Sequence, residues 1–528
     1  MQLALARDRR LVLALLLAFA AVLLVKNAWL SDDAYITFRT VENLAAGRGA
    51  VYNAGERLQS YTHPLWLLVL SVLRCVTGEL YYTTIVFSLL LTLVTLAFVF
   101  RSTSPSRVES GVLAVAVLLA SKAFVDFSSS GLENPLSHVI LALFLGAVFR
   151  ANRNALAGPA LLAGLAGVNR LDTLLLYLPP LVFLVRQAGW RRGVRALAVG
   201  FSPLIVWTGF SLLYYGAPVP NTAYAKLATG ISGWAFLRQG LLYCLDSLCR
   251  DPVTLTAVVV GCALAWTARF SAARYVAGGV VLYFLYILAI GGDFMSGRFF
   301  TLPLLAAAVL IAQRAGRLDR TQLAAGCACL CMLTLVSAKS HLVSGRRFGM
   351  DVPLVPTKEF GPLPLSLINP HGICDERAFY YRATGLLRPG GGSRVSHQWA
   401  ELGARLADSG MRVHVLYAVG FAGYYAGPDV HVIDTCGLCD FLLARLPLAR
   451  GARWRIGHFR RDLPAGYVES LLRDENLLEN RSLAAYYEAV RPIPRGRLLD
   501  RRRLAAIWRL NTGRYNHFIE EYASSLGR

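Results

Sequence analysis

The stretch Ser31-Asp32-Asp33-Ala34-Tyr35-Ile36-Thr37-Phe38-Arg39 decides how the chain is interpreted. It follows directly on the first long apolar run, Leu11 to Leu30, whose only interior charge is Lys26. Two adjacent carboxylates at the end of a membrane span are costly unless they are solvated or paired. They either mark where the helix leaves the lipid, with Asp32 capping the next helix, or they take part in chemistry.

The composition is that of a membrane protein. Of 528 residues, 55% are hydrophobic and 16% are charged, and the mean hydropathy is +0.47, which does not suit a soluble globular protein. Because the apolar runs stop near Ser337, we expect an α-helical polytopic membrane module at 1–338 and a soluble, extracytoplasmic C-terminal domain of mixed α/β structure at 339–528. The net charge of +22 does not indicate nucleic-acid binding, since much of it lies in short loops between spans.

Runs of about 20 apolar residues, or fewer where protein covers the helix, predict about eleven spans. Residues 156–187 form either a broken pair of helices or one long kinked helix. The short apolar segment 63–78 is expected to be a helix that lies along the membrane interface. No small-residue cleavage site precedes Asp32, so the first helix is expected to be retained. The predicted spans lie near 11–30, 82–100, 111–127, 135–150, 156–168, 173–187, 196–214, 253–268, 275–290, 299–313 and 321–338.

Basic residues follow every second span. Under the positive-inside rule these loops are cytoplasmic, as is the N-terminus, so the C-terminal domain is expected on the outer face of the membrane. The residues are Arg7, Arg9, Arg10, Arg101, Arg107, Arg150, Arg153, Arg186, Arg191, Arg192, Arg195, Arg269, Arg274, Arg314, Arg317 and Arg320.

The opposite side receives mixed acidic, basic, amide and aromatic groups at span ends, so we expect the chemistry there. Glu133 is either a helix-start residue or a functional acid. Arg170 and Asp172 interrupt an apolar stretch, as a mutual pair or as site residues. Lys226 and Arg298 suit an anionic phosphate, or they snorkel to lipid headgroups.

Three other features of the sequence say less about function. Cys436 and Cys439 stand in a C-x-x-C pattern, but without a thioredoxin-like context a structural disulfide or free thiols are favoured over redox chemistry. The run from Arg495 to Arg509 favours a solvated amphipathic helix, with contact to anionic headgroups or a polyanionic glycan as the alternative. No convincing metal-ligand spacing appears, although Asp32 and Asp33 together can hold a divalent cation.

Several stretches resemble the GT-C fold of polyprenyl-phosphate-sugar glycosyltransferases, and more specifically the AftB-like group of bacterial arabinofuranosyltransferases. The features that carry the resemblance are a first span that ends in Asp-Asp, a long outer loop with flat helices, and a many-spanned bundle with an outer soluble domain. The matching stretches are 32–39, 130–135, 214–226, 291–299, 375–380, 420–428, 431–440 and 455–464.

The resemblance implies that Asp32 or Asp33 is the catalytic base, with a slight preference for Asp33, and that outer-face cations hold the lipid phosphate. A lipid-phosphate sugar is already activated, so the enzyme needs a base for the acceptor hydroxyl and positive charge for the leaving group. The residues expected to bind the donor phosphate or the substrates are Arg39, Glu133, Arg170, Asp172, Asn221, Tyr224, Lys226, Asp293 and Arg298.

The function expected from this resemblance is inverting transfer of arabinofuranose from a polyprenyl-phosphate donor in the lipid bilayer to a cell-envelope glycan, on the outer face of a bacterial inner membrane. Alternatives within the fold are transfer of lipid-linked mannose or another pentose or hexose, and O-glycosylation of a protein such as pilin. A transporter is the alternative outside enzymes, but its charges would lie near the bilayer midplane on both halves of an internal repeat, which the sequence lacks.

Overall fold

The structure is a computed structural model that describes residues 2–103, 108–150, 156–227, 229–267, 271–315, 319–337, 339–357, 361–451 and 454–527. Four arginines on which the predicted orientation partly depends lie outside the described residues. They are Arg107, Arg153, Arg269 and Arg317.

The first part of the chain is helical. Its helices are α1 Gln2–Asn27, α2 Asp32–Ala45, α3 Pro64–Thr77, α4 Tyr81–Arg101, α5 Val108–Ala120, α6 Lys122–Asp126, α7 Asn134–Arg150, α8 Ala157–Asn169, α9 Leu174–Ala188, α10 Trp190–Gly200, α11 Ser202–Tyr214, α12 Asn221–Leu227, α13 Gly233–Arg250, α14 Pro252–Trp266, α15 Ala272–Ala289, α16 Thr301–Ala315 and α17 Arg320–Val336.

Within the described ranges, four helical segments are long and apolar enough to cross a membrane: Asp8–Asn27, Tyr81–Arg101, Leu171–Ala188 and Ala272–Ala289. Two bent pairs raise the number to six if each pair is one span, with bends of 46° between α10 and α11 and 109° between α13 and α14. Shorter apolar helices, among them α5, α7 and α8, add to these. The protein is therefore helical with several apolar helices, as fits a multi-pass membrane protein, and the figure of eleven spans stays a prediction.

The structure changes the predicted helices in two places and decides between the two alternatives left open in a third. The predicted span 111–127 is wrong as a single helix, because α5 ends at Ala120 and the Ser121 hydroxyl caps α6 by accepting the Phe124 N–H at 3.0 Å. The pair 156–187 is broken, since Arg170 leaves the helix in an extended conformation. Helix α13 was not predicted, because its charged residues, Arg238 and Asp246 among them, interrupt the apolar pattern.

The C-terminal part contains a two-stranded parallel sheet and several short helices. Strand β1 Val413–Leu416 pairs with β2 His431–Asp434. The helices are α18 Glu376–Thr384, α19 Gln398–Asp408, α20 Phe421–Ala426, α21 Tyr467–Arg473, α22 Arg481–Val490, α23 Pro492–Arg495, α24 Arg501–Asn511 and α25 Asn516–Ser525.

The hydrophobic core is continuous across the predicted boundary at 338. One cluster of buried side chains runs from the first helix to Phe459, and Ile36 and Tyr52 share another with Val432. The C-terminal part thus packs directly on α2 and the loop that follows it. The division into two domains stays a prediction.

Helix α2 begins at the opening stretch. Ser31 is extended, with φ −83° and ψ 161°, and its hydroxyl accepts the Ala34 N–H at 3.2 Å. The expectation that Asp32 caps this helix is therefore wrong: Ser31 is the cap, and Asp32 is the first helical residue. The Ser31 N–H in turn donates to the Ser130 carbonyl at 2.9 Å, which joins two stretches predicted to lie on the same face.

Candidate active site

The Asp32 carboxylate is bound to the C-terminal part. Its two oxygens accept the backbone N–H groups of Gly420, at 3.2 Å, and Phe421, at 2.7 Å, where α20 begins. A Cβ atom at Gly420 would lie 2.0 Å from the Asp32 carbonyl oxygen, so a side chain there does not fit this approach. Burial raises the pKa of Asp32 to about 7, against the lowering effect of the two amides.

The neighbouring Asp33 carboxylate is open. In the part of the chain that the structure describes, no side chain or backbone group donates a hydrogen bond to it, and it lines a cavity of about 180 Å³. Burial raises its pKa, and Asp293 raises it further, while Lys226, Arg298 and His63 lower it. A carboxylate with a raised pKa and no donor is suited to accept a proton from a ligand.

The cavity lies where α2 meets the C-terminal part. Both carboxylates of the opening stretch reach it, and a further acid, several aromatic rings and two cationic or titratable side chains from distant parts of the chain face it. These side chains are Glu376, Arg455, His458, Tyr417, Trp399 and Phe294.

Glu133 is the centre of a buried charge network. Its oxygens accept from Arg170 Nη1 at 2.7 Å and from Arg298 Nη2 at 3.0 and 3.1 Å, and lie 3.2 Å from His63 Nδ1. Burial opposes ionisation of this acid, yet Arg298 and Arg170 hold the pKa of Glu133 well below its usual range. The network reaches α2, because His63 Nε2 and the Thr37 hydroxyl share a hydrogen bond of 2.9 Å.

Two predicted acids complete this network. Asp172 accepts from Arg170 Nε at 2.8 Å and Nη2 at 3.1 Å, which is the mutual pair considered in the sequence. Asp293 lies 3.6 Å from Arg298 Nη1. Since Arg170 and Arg298 are already paired, each has less capacity to hold a phosphate than the sequence suggests.

Lys226 differs from these arginines. It is half-buried at the end of α12, and no hydrogen bond or ion pair to its ammonium group occurs among the described residues. It exerts the largest attraction on the Asp33 carboxylate of any charged group. Of the cations predicted to bind the donor, Lys226 is the one for which the described residues provide neither an acidic partner nor a hydrogen-bond acceptor.

Arg39 has a structural environment. Its guanidinium stacks on the Tyr52 ring at 4.5 Å and donates to the carbonyls of Tyr52 at 2.8 Å, of Gly423, and of Val430 at 2.7 Å. With its donors on backbone carbonyls, Arg39 holds the C-terminal part on α2. Its role in binding the donor stays a prediction.

Asn221 and Tyr224 also bridge parts of the fold. The Asn221 amide donates to the carbonyls of Gly437, at 2.8 Å, and Asp440, at 3.0 Å, and accepts from Arg445 Nη1 at 3.1 Å. Arg445 stacks on Tyr224 at 4.6 Å. The Asn221 amide is thus used in docking α12 against the C-terminal part.

Sequence reasoning missed Glu376, Arg455 and the aromatic side chains of the cavity. Glu376 is 6% exposed, and burial together with the Asp33 charge raises its pKa well above the usual range. Arg455 Nε donates to the Gly372 carbonyl at 2.6 Å. Both residues stand in stretches that carried the family resemblance, 375–380 and 455–464, so the signal was present but did not single them out.

A divalent cation at Asp32 and Asp33 stays a prediction. No group of three or more His, Cys, Asp or Glu side chains with metal-binding geometry occurs in the described part of the chain. Each Asp32 oxygen accepts one amide hydrogen, which leaves it one further lone pair, whereas both Asp33 oxygens are without a donor among the described residues.

The C-x-x-C pattern forms a turn. Cys436 and Cys439 are buried free thiols, and their backbone N–H groups donate to the Asp434 carboxylate at 2.8 and 3.0 Å. Burial raises the pKa of both thiols, which makes them poor nucleophiles.

Comparison with known proteins supports the resemblance. No protein-family model matches the chain. A terminal β-(1→2)-arabinofuranosyltransferase of Mycobacterium tuberculosis is 30% identical over 339 residues, which cover 53% of this chain and 51% of that protein. The enzyme of the same name from Corynebacterium glutamicum is 27% identical over 343 residues, or 53% of this chain and 47% of that protein. The chain thus spans about half the length of the curated relatives it matches.

Among solved structures, ArnT from Cupriavidus metallidurans bound to undecaprenyl phosphate aligns with 79% of this chain and 85% of its own. The TM-score is 0.47 and the identity 14%, so this likeness carries no argument about the present chain. The relatives named above confirm the resemblance predicted from the sequence: over about half of its length the chain is similar to terminal arabinofuranosyltransferases.

Proposed function

We propose that the protein is a membrane glycosyltransferase that transfers arabinofuranose from a polyprenyl-phosphate donor to a cell-envelope glycan. The observation that carries the proposal is the open Asp33 carboxylate in a cavity beside an unpaired lysine, in a chain similar to arabinofuranosyltransferases. The acceptor is a glycan hydroxyl, and the active site faces the outer side of the inner membrane.

The reaction is a single displacement. Asp33 takes the proton of the acceptor hydroxyl, and the acceptor oxygen forms a bond to the anomeric carbon of the donor. The bond from that carbon to the phosphate oxygen breaks, and the polyprenyl phosphate leaves with the electron pair. Attack opposite the leaving group inverts the anomeric centre. General-base catalysis of this kind contributes typically 10²–10⁴-fold.

The leaving phosphate gains negative charge as the bond breaks, so a cation must lie beside it. Lys226 fits this role for two reasons. Its ammonium group has no acidic partner among the described residues, and its charge lowers the pKa of Asp33. Arg298 would act from a second layer, since it is paired with Glu133 yet still lowers the pKa of Asp33. Arg170 would support this arrangement by holding the same glutamate.

The walls of the cavity suit a sugar. Tyr417, Trp399 and Phe294 offer flat apolar faces, and Glu376 and Arg455 offer polar groups that fix orientation. Asp32 would act indirectly: its two amide hydrogen bonds hold α20 and the first turn of α2 in one geometry, which places Asp33 in the cavity.

The test is transfer by the full chain in proteoliposomes, with a panel of polyprenyl-phosphate sugars that includes arabinofuranose and mannose. We expect transfer from the arabinofuranosyl donor to a synthetic arabinan acceptor, and loss of transfer in Asp33→Asn. Transfer from the mannosyl donor alone would assign a different sugar. Uptake of a lipid-linked sugar without a new glycosidic bond would support the transporter alternative.

A further inference from the structure

Helix α24 is joined to the end of an apolar helix. Arg503 in α24 donates from Nη1 to the Leu213 carbonyl at 2.8 Å and from Nη2 to the Tyr214 carbonyl at 2.7 Å. These are the last carbonyls of α11, which no residue of α11 itself can satisfy. Asn511, at the other end of α24, donates to the Gly216 carbonyl at 2.8 Å.

The end of α11 and the C-terminal helices are in direct contact at Gly216. A Cβ atom at Gly216 would lie 2.3 Å from Ile493 Cγ2 and 3.2 Å from Ile507 Cγ1. Gly216 also has φ +78°, a conformation that other residues rarely adopt. Helix α24 and the end of α11 therefore form one rigid unit.

Helix α11 has the surface of a lipid-facing helix. Ile205 is 64% exposed and Val206 is 70% exposed, and Phe210 and Leu213 are also exposed. Beyond them the helix ends at the half-buried Tyr214, a residue type enriched at the membrane–water interface. A helix bonded to the last carbonyls of α11 is thus placed at the depth of the lipid headgroups.

The exposed surface of α24 has the composition expected at the depth of the lipid headgroups. Leu504 and Trp508, one turn apart, are exposed, as is Leu499 just before the helix. Arg501, Arg502 and Arg509 are exposed as well, and none of their guanidinium groups is ion-paired within the described part of the chain. A solvated helix, the simpler interpretation of the sequence, does not explain why a tryptophan and leucines face outward beside α11.

We propose that α24 lies on the membrane surface at the Tyr214 end of α11, with Leu504 and Trp508 among the upper acyl chains and Arg501, Arg502 and Arg509 on anionic phospholipid headgroups. Charge complementarity and continuity with the apolar surface of α11 favour this partner over a polyanionic glycan. The helix then ties the C-terminal part to the bilayer. The inference does not depend on the proposed glycosyltransferase activity or on which face of the membrane is outside.

The test uses Trp508 as a probe in the full chain, reconstituted in vesicles of phosphatidylcholine and phosphatidylglycerol. The difference in emission between the unsubstituted protein and Trp508→Phe isolates this side chain. Either lipid is then replaced by its form brominated near the headgroup end of the acyl chain, which quenches tryptophan on contact. We expect blue-shifted emission that brominated phosphatidylglycerol quenches more strongly than brominated phosphatidylcholine at the same fraction.

A charge variant and a matched control make the test specific. The combined variant R501Q/R502Q/R509Q should make quenching by the two brominated lipids equal, while R405Q/R473Q/R481Q, which removes three exposed arginines from other helices of the C-terminal part, should leave the preference unchanged. Equal quenching in the unsubstituted protein would overturn the headgroup contact. Emission that neither brominated lipid quenches, or that shifts only when a soluble polyanionic glycan is added, would overturn the membrane placement.

Discussion

The carboxylate of Asp32 accepts the backbone N–H of Phe421 at 2.7 Å, and so joins the start of α2 to a helix 389 positions further along the chain. Asp33, the next residue, has no hydrogen-bond donor in the described structure and faces the cavity. Two adjacent carboxylates that look equivalent in sequence thus have different environments. One is used to assemble the site, and the other is left available to a ligand.

Exchange of each carboxylate for an amide should separate these roles. Asp33→Asn removes the base, so we expect kcat to fall by about 10²–10⁴-fold with the melting temperature unchanged. Asp32→Asn keeps one acceptor for two amides and leaves one N–H facing an NH₂ group, so it should lower the melting temperature and affect transfer less. The measurements are transfer rates and thermal unfolding of both purified variants. Retention of more than about a tenth of the activity by both would place the active site elsewhere.

The pH dependence of transfer should reflect the raised pKa of Asp33. A general base acts when ionised, so a raised pKa moves the rise of kcat/KM to a pH above the ordinary aspartate value of about 3.9. Lys226 lowers this pKa and Asp293 raises it. Lys226→Met should therefore shift the rise to higher pH, and Asp293→Asn to lower pH. Shifts in the same direction for the two variants would contradict the assignment of the base.

Lys226 should matter more to transfer than its exposed neighbours. Loss of a charge-assisted contact to phosphate removes about 1.5–3 kcal/mol, or roughly tenfold to a hundredfold in rate. We expect Lys226→Met to lose activity to this extent and Lys226→Arg to recover part of it. Arg238→Met in α13 serves as the control for the loss of one cation on this part of the chain. Equal rates for Lys226→Met and the control would assign Lys226 to lipid headgroups.

The family resemblance and the helical character of the chain follow from the sequence, because apolar runs and the Asp-Asp motif are local signals. The environment of each charge does not. Whether Arg39 meets a phosphate or the carbonyls of Gly423 and Val430 depends on a segment almost 400 residues away. Glu376 was missed for the same reason, since nothing beside it in the sequence shows that it faces Asp33.

Glu133 should contribute strongly to stability. Glu133→Gln leaves Arg170 and Arg298 buried with less compensating charge, and the break of such a pair costs about 3–5 kcal/mol. The control is Glu42→Gln, which removes a partly exposed pair with Arg74 and should cost at most about 1 kcal/mol. Thermal unfolding in detergent measures both. A control that destabilises as much as Glu133→Gln would show that burial of the network is not the cause.

The stabilisation by Glu133 should also depend on pH. Because its folded-state pKa is depressed, its contribution is complete above the ordinary glutamate pKa of about 4.3 and is lost as the pH falls through the lower folded-state value. The difference in melting temperature between the unsubstituted protein and Glu133→Gln should therefore shrink only under acid conditions. A difference that shrinks toward pH 8 would have the wrong sign.

Glu376 should act as a neutral acid. Burial and the charge of Asp33 raise its pKa well above the usual range, which favours the protonated carboxyl, a group that can both donate and accept a hydrogen bond in the cavity. Glutamine has the same size and the same two capacities, so Glu376→Gln should keep most of the transfer activity, whereas Glu376→Ala should raise KM for the sugar substrates. The same exchange at Asp33 should have the opposite result: Asp33→Asn should lose activity, because the amide removes a charge that the reaction needs. If Glu376→Gln were as inactive as Asp33→Asn, Glu376 would have to act as a carboxylate, and the base would have to be assigned between the two.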